Sequence, residues 1–296
     1  MKGRRYIVKR ILTALLLCVL LLCACCAAAE AGYAPLEMEA AIAPKPNAAN
    51  YLPDNAGYED ETISVSIETT RAYDTTIMIA RVKITDPSQI RTAMAGRYGQ
   101  TGGSFPNVVA KRVNAVFAIN GDYFNYRSTG HLVRQGKTYR SRPDTDLDTL
   151  IIDENGDFTI IKDPTKEAIA AFEGTIINSF NFGPALIIDG EKVLPVKRME
   201  AGVTNKTQRM AVAQASPLEY VCVATEGPEN EGSVGLTIEE LIDFMYDLGV
   251  KQAYNLDGGS SSAMILNNEK INALSTRKNR PICDMLYFAT LIPSEE

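Results

Sequence analysis

The chain of 296 residues has no tryptophan and one histidine, His131. A single histidine leaves no multi-histidine zinc site to build, and it restricts a serine–histidine–aspartate triad to one candidate base. Cysteine is no richer as a source of ligands. Cys18, Cys23, Cys25 and Cys26 crowd the N-terminus, and only Cys222 and Cys283 lie beyond it. Those two show no metal spacing and read either as one disulfide or as two buried small apolar side chains. Basic charge is also short, with 30 Lys and Arg against 36 Asp and Glu. The first 29 residues hold five of the basic and none of the acidic residues, so 25 face 36 in the remainder. No basic domain is left for nucleic acid, and an anionic substrate has to be met by local arginines against an unfavourable overall field.

One apolar run stands out, from Ile11 to Ala29, preceded by Lys2, Arg4, Arg5, Lys9 and Arg10. A basic head, a short apolar centre and Ala27-Ala28-Ala29 read as a secretory signal over residues 1–29. A retained membrane helix is the competing reading, and Leu22-Cys23-Ala24-Cys25 resembles a lipoprotein processing site. The expected location is secreted or anchored at the cell surface, most simply a bacterial envelope, with membrane contact only through this segment. Residues 30–60, rich in Ala, Pro and Asn without a steady period, predict a flexible tether or wrapping arm. Residues 61–296 predict one main domain.

The domain is strand-rich. Alternating or β-branched apolar runs predict strands over 62–67, 76–84, 115–119, 149–152, 158–161, 185–188, 210–213 and 220–224. Asn155-Gly156 and Asp189-Gly190 mark reversals. Helices are predicted over 107–113 and, most clearly, 238–248, where Thr237 and Glu240 form a capping box and Gly249 provides the stop. The expected fold class is α+β, a mixed, strand-rich sheet with a few packed helices.

Three polar clusters interrupt apolar strands: "AVFAINGDYFNYRSTGHLVRQGK", "NKTQRMAVAQ" and "AYNLDGGSSSAMILNN". The last sets Asp257, two glycines and three serines between apolar runs. It has no lysine and opens no helix, so it is not a phosphate-binding P-loop, and it lacks the Gly-x-Ser-x-Gly of a nucleophile elbow. What fits is a carboxylate beside glycines that let a ligand approach, with Ser260 and Ser261 as donors to sugar or phosphate oxygens. Asn120 and Asp122 stand in the same kind of position on another strand, and two carboxylates near one sugar is the arrangement of glycoside hydrolysis. Asp144, Asp146 and Asp148 read as a polar loop rather than a metal-binding strand face.

The segments "NAVFAINGDYF", "NFGPALIIDGE", "QRMAVAQ", "AYNLDGGSSSAMILNN" and "RPICDMLYF" together resemble the phosphodiester glycosidase family over roughly residues 110–290. The resemblance implies an exported hydrolase that cleaves the sugar–phosphate bond of an N-acetylglucosamine-1-phosphodiester or similar glycan. It implies Asp257 and Arg209 as catalytic residues, and Asp122, by its place at a strand end, is a third catalytic candidate. It implies Asn120, Gly121, Gly258, Gly259, Ser260, Ser261 and Arg280 as substrate-binding residues, and His131 and Arg134, in the polar loop after Asp122, are further substrate-binding candidates from the residues themselves. Asp122 departs from the family's commoner glycine. No cofactor and no metal ligand set is expected, a divalent cation stays open, and the partner is a phosphodiester-linked glycan or wall polymer. Two other readings stand beside this one: a non-catalytic polymer-binding protein of the envelope, and a metal-dependent phosphodiesterase.

Overall fold

Successive side chains of a strand point to opposite faces, and along 210–213 both faces are apolar: Met, Ala, Val, Ala. Such a strand is covered on both sides. The computed structural model describes residues 33–194, 202–273 and 280–294. The chain divides after Ala34, and every described strand and helix lies in the unit that begins at Pro35. The expected signal segment lies outside the described residues.

In chain order the strands are β1 (Tyr51–Leu52), β2 (Gly57–Glu59), β3 (Ile63–Ala72), β4 (Thr75–Ile84), β5 (Ile90–Met94), β6 (Phe117–Asn120), β7 (Gly130–Arg134), β8 (Lys137–Arg142), β9 (Thr149–Asp153) and β10 (Phe158–Ile161). They continue with β11 (Ile176–Phe180), β12 (Ala185–Ile188), β13 (Glu191–Lys192), β14 (Met210–Ser216), β15 (Glu219–Thr225), β16 (Gln252–Leu256), β17 (Met264–Leu266), β18 (Glu269–Lys270) and β19 (Asp284–Phe288). The helices are α1 (Pro106–Val113), α2 (Lys166–Ala170) and α3 (Ile238–Asp247).

A nine-stranded sheet runs β1-β2-β3-β4-β15-β14-β16-β12-β13, and a five-stranded sheet runs β18-β17-β6-β19-β5. Smaller sheets join β10-β9-β11 and β7-β8. Met210, Val212, Tyr254 and Leu256 of the larger sheet share one core with Phe117, Ile119, Met264, Leu266, Leu286 and Phe288 of the smaller. The alternate residues Ala211, Ala213, Val221, Val223 and Ala253 pack under α3. On the outer face of the smaller sheet, Ala118, Ile265, Met285 and Tyr287 pack against Val109, Ala110 and Val113 of α1. The order of layers is therefore helix, sheet, sheet, helix.

The helices form where their ends are capped. Thr237 Oγ1 accepts from Glu240 N at 3.1 Å, and the Glu240 carboxylate accepts from Thr237 N at 2.9 Å. Gly249 at φ 72° ends the helix. Ile238, Leu241, Ile242 and Met245 are fully buried, each worth about 1.5–3 kcal/mol of transfer free energy.

The α+β class and the strand-rich pattern hold. The sheet, expected to be mixed, is antiparallel in every described ladder. Eight of the described ladders join consecutive strands through short reversals, which parallel pairing does not allow. The others, such as β4 with β15 and β6 with β19, are antiparallel between strands far apart in sequence. The expected tether also needs correction. Tyr51–Leu52 and Gly57–Glu59 are strands of the larger sheet, too short to show a period in the sequence. Ahead of them the chain lies against the domain. Leu36 N donates to Ser88 Oγ at 2.8 Å, and buried Arg91 donates through Nη2 to the carbonyls of Glu37, Met38 and Ala40. Cys222 and Cys283 are both buried and free, not bonded to each other.

Candidate active site

Asp257 follows β16 of the larger sheet, and β17, the next strand, belongs to the smaller one. The Asp-Gly-Gly-Ser-Ser-Ser segment is therefore a crossover between facing sheets, not the hairpin turn that Asp-Gly signals on its own. A Cβ on Gly258 would stand 2.6 Å from the Gln208 carbonyl oxygen, and Gly259 sits at φ 54°. One 3₁₀ turn, Gly259–Ser261, completes the passage. Each serine has its own task. Ser260 Oγ accepts from Arg280 Nη1 at 3.0 Å. The Ser261 hydroxyl is hydrogen-bonded to the Asp257 carboxylate. Ser262 Oγ donates to the Arg209 carbonyl at 3.4 Å.

Asn120, at the end of β6, clamps both ends of this crossover. Its Nδ2 donates to the Asp257 carbonyl at 2.6 Å and its Oδ1 accepts from Ala263 N at 2.9 Å. Asp257 N donates to the Gly121 carbonyl at 3.3 Å. The Asn120 amide, expected to face substrate, is spent on backbone and sets the position of the carboxylate instead.

Asp257 is half-buried. Burial pushes its carboxyl up to about 6 from the usual 3.8; the Ser261 hydrogen bond and the charges of Arg280 and Arg127 pull it down, and the Asp122 charge pushes it up. A carboxyl raised toward neutral pH by burial, in the field of Arg280 and Arg127, suits a nucleophile or a base.

Beneath it lies a buried ion cluster. Arg134, at the end of β7, donates through Nε to Asp284 Oδ2 at 2.7 Å; its Nη2 pairs with that same oxygen and stands 3.4 Å from Asp122 Oδ2. Nη1 donates to the carbonyls of Val133 and Ser179, and Phe180 lies under the guanidinium at 4.3 Å. Asp122 accepts from Phe124 N through Oδ1 and from Asn181 N through Oδ2, both at 3.0 Å. Arg134 and Asp122, expected to meet substrate, are both buried and committed to the protein. Gly121 is required here because a Cβ would fall 2.3 Å from Asp284 Oδ1. Asp284 opens β19; burial and then Asp122 push its carboxyl up, partly offset by Arg134.

Two further expectations change. Arg209 is buried and donates to the carbonyls of Leu236, Gly202 and Asn205, so it holds a loop rather than a phosphate. Burial lowers it to about 10, which keeps it charged. His131 is buried on β7, with Nδ1 enclosed and unpartnered, and burial pushes its ring below the usual value. It bridges no serine to a carboxylate through that nitrogen. Asp144, Asp146 and Asp148 precede β9 in a loop; Asp144 accepts from Thr129 Oγ1 and Asp148 from Ala185 N. Among the described residues no three His, Cys, Asp or Glu side chains converge to hold a metal ion.

Of the residues named from sequence, Asp257, Gly258, Gly259, Ser260, Ser261 and Arg280 come together with the Asn120–Gly121 clamp. Arg127 and Asp284 were missed as site residues. Arg127 donates to the Asn181 carbonyl and to Tyr123 Oη, and stacks over Tyr123 at 4.4 Å. A basic residue in a loop rich in Tyr and Asn was the available signal.

The antiparallel sandwich thus gathers one carboxylate of raised pKa, the Arg280 guanidinium and small hydroxyls at a sheet-to-sheet crossover. The family model for phosphodiester glycosidase matches residues 113–289, and the chain belongs to that family. It is 26% identical over 185 residues to an uncharacterized SPbeta prophage-derived protein, YomE, of Bacillus subtilis (strain 168). That match takes in 60% of this chain but only 28% of the relative's length. Among solved structures, the chain is similar to the zebrafish N-acetylglucosamine-1-phosphodiester alpha-N-acetylglucosaminidase catalytic domain, auto-inhibited by its pro-peptide. The TM-score is 0.63 at 18% identity, covering 84% of this chain and 87% of that one. It is also similar to a hypothetical protein from Synechocystis, with TM-score 0.53, 17% identity, and 78% and 62% coverage. At these identities the likeness is one of fold.

Proposed function

We propose that the chain hydrolyses the sugar–phosphate glycosidic bond of a sugar-1-phosphodiester, of the N-acetylglucosamine-1-phosphodiester kind, in an envelope or extracellular glycan. The observation that carries this is Asp257: a carboxylate lifted to about 6, hydrogen-bonded by Ser261 and facing the charges of Arg280 and Arg127. The leaving group at the anomeric carbon is a phosphate monoester with second pKa about 6, against about 15.7 for water. Such a group leaves without a strong general acid, and its charge has to be held. Arg280, exposed and tied to Ser260, does that. Asp257 acts at the anomeric centre as nucleophile or as base toward water. Export rests on the basic head and apolar run of the N-terminus; no described helix is long and apolar enough to cross a membrane.

The test follows purified protein with methyl N-acetylglucosamine-1-phosphodiester by NMR, with and without chelator. Free sugar plus intact methyl phosphate, insensitive to chelator, is the expected outcome. Sugar-1-phosphate would mean phosphorus–oxygen cleavage and the phosphodiesterase reading; binding without product would mean a glycan-binding protein.

Because Asp257 acts in its ionised form, kcat/KM is expected to fall on the acid side with a midpoint near 6 and to stay level above it. The phosphodiester does not titrate in that range, so the limb belongs to the enzyme. A second expectation tests the neighbour. Arg280 lowers the Asp257 carboxyl, so Arg280→Ala moves the acid limb toward higher pH besides lowering kcat/KM about tenfold to hundredfold. An unmoved midpoint would separate Arg280 from Asp257.

A further inference from the structure

Beside the site lies a cleft of about 430 Å³ that the crossover chemistry does not use, within the range of about 300–1,000 Å³ typical of small-molecule sites. Its walls come from three segments: Tyr98–Gly99, the 3₁₀ turn Phe124–Tyr126 with Arg127, and β8 with Tyr139, Arg140 and Arg142. Three arginines and no carboxylate line it, in a chain with a net charge of −6. Its aromatic side is ordered: Tyr98 packs against Tyr139 at 5.4 Å and Phe124 at 6.3 Å between ring centroids, yet Tyr98 stays 40% exposed. The walls are tied to one another. Arg140 Nη1 donates to the Phe124 and Arg127 carbonyls at 3.0 and 2.6 Å, and Gly99 N donates to Asn125 Oδ1 at 3.0 Å. Arg142 is exposed.

Arg127 lies on a segment that serves both places. It lines this cleft together with Phe124, whose N–H donates to Asp122, the neighbour of the Gly121 carbonyl that accepts from Asp257 N, so one segment forms both the cleft wall and the support of Asp257. The cleft is therefore the direction in which the part of a substrate beyond the scissile bond runs. Guanidinium groups recognise phosphate oxygens, and aromatic faces offer apolar surface to a sugar ring. We propose that the cleft is the aglycone subsite, and that it takes a further phosphate-bearing sugar residue. The substrate class is then a phosphodiester-linked sugar-phosphate chain rather than a single capped monophosphate. This rests on the glycosidase reading above and deepens it. The overall negative charge of the chain works against long polyanions such as nucleic acid, so the cleft reads one nearby repeat.

The experiment compares two probes: methyl N-acetylglucosamine-1-phosphodiester, and the same donor extended by two hexose 6-phosphate residues joined through phosphodiesters. The wild type is expected to prefer the long probe in kcat/KM, with a preference that falls as ionic strength rises. In Arg142→Ala and Tyr98→Ala the long-to-short preference is expected to drop about fivefold, the size of one exposed charge-assisted contact. A preference that is absent, or unchanged in both variants, overturns the subsite while leaving turnover of the short probe to support the glycosidase. If neither probe is cleaved, calorimetric titration of the long probe decides. Binding lost in Arg142→Ala keeps the cleft as a site for anionic glycan and removes the catalytic reading; binding independent of Arg142 overturns the cleft as well.

Discussion

Asp257→Asn is expected to lower kcat/KM at least about a thousandfold while making the folded protein more stable at pH 7. The two effects share one cause. Burial lifts the folded carboxyl to about 6, whereas an unfolded aspartate titrates at about 3.9. Between those values the folded state holds a proton that the unfolded state has released, so stability falls as pH rises through the window and stays lowered above it. Asparagine has the same shape, keeps a carbonyl oxygen to accept from Ser261, and carries no charge to bury. With Asp257 only half-buried, the gain at neutral pH is on the order of 1–2 kcal/mol after solvent screening, and it vanishes near pH 3.5. Denaturant titration at pH 7 and pH 3.5, beside turnover, checks both halves. Near-normal activity removes Asp257 from the mechanism. Lost activity together with lost stability would make it a structural residue whose removal damages the site indirectly. Strain of this kind at a reacting group is the usual exchange between stability and activity.

The sequence exposed Asp257 because its neighbours are overdetermined. Glycines where a Cβ meets backbone at Gly258, and three hydroxyls within one turn, have no purpose in a plain reversal. It exposed α3 through the Thr237–Glu240 capping box, and the strands of the larger sheet through their β-branched runs. The same physics explains what stayed hidden. The strand 210–213 is apolar on both faces because each face meets a different layer, and a continuous apolar run carries no sign of which layer is which. The two-sheet sandwich was therefore invisible, and so was the crossover that makes Asp257 a junction residue.

Charged residues misled in a consistent way. Arg209 was expected at the site through the family resemblance, Asp122 as a second carboxylate at a strand end, and Arg134 as a cation to hold phosphate charge. All three are buried: the arginines donate to backbone carbonyls, Arg134 also to Asp284, and Asp122 accepts from the Phe124 and Asn181 N–H groups. Their partners, the Ser179 and Leu236 carbonyls and Asp284, lie 45, 27 and 150 positions away in sequence. No local pattern reports such pairing. Arg280 and Arg127 carry the local positive charge instead.

Arg134→Met is expected to destabilise the protein by about 3–5 kcal/mol at pH 7, a large share of a typical domain's stability. Methionine fills much of the volume over Phe180, so the loss measures charge rather than a cavity. With Arg134 gone, Asp284 and Asp122 remain buried together with no cation between them, and uncompensated buried charge is what makes breaking such a cluster costly. Arg134 holds the Asp284 carboxyl down against burial and against Asp122. Its removal lets Asp284 rise further and take up a proton, which caps the cost. The cost is accordingly expected to grow between pH 6 and pH 8, where ionising Asp284 becomes harder to avoid. Arg134→Met combined with Asp284→Asn deletes one buried charge along with the cation and is expected to recover at least half of the loss, an interaction energy between contacting residues of the size double-mutant cycles resolve. A single variant costing under about 1 kcal/mol at pH 7, or a double variant no better than the single, would show that the cluster does not hold the β7, β19 and Asn120–Asp122 segments together. Recovery in the double variant, with turnover still low, would place Arg134 where the geometry has it: one layer beneath the reacting groups, fixing the Gly121 backbone on which Asp257 rests.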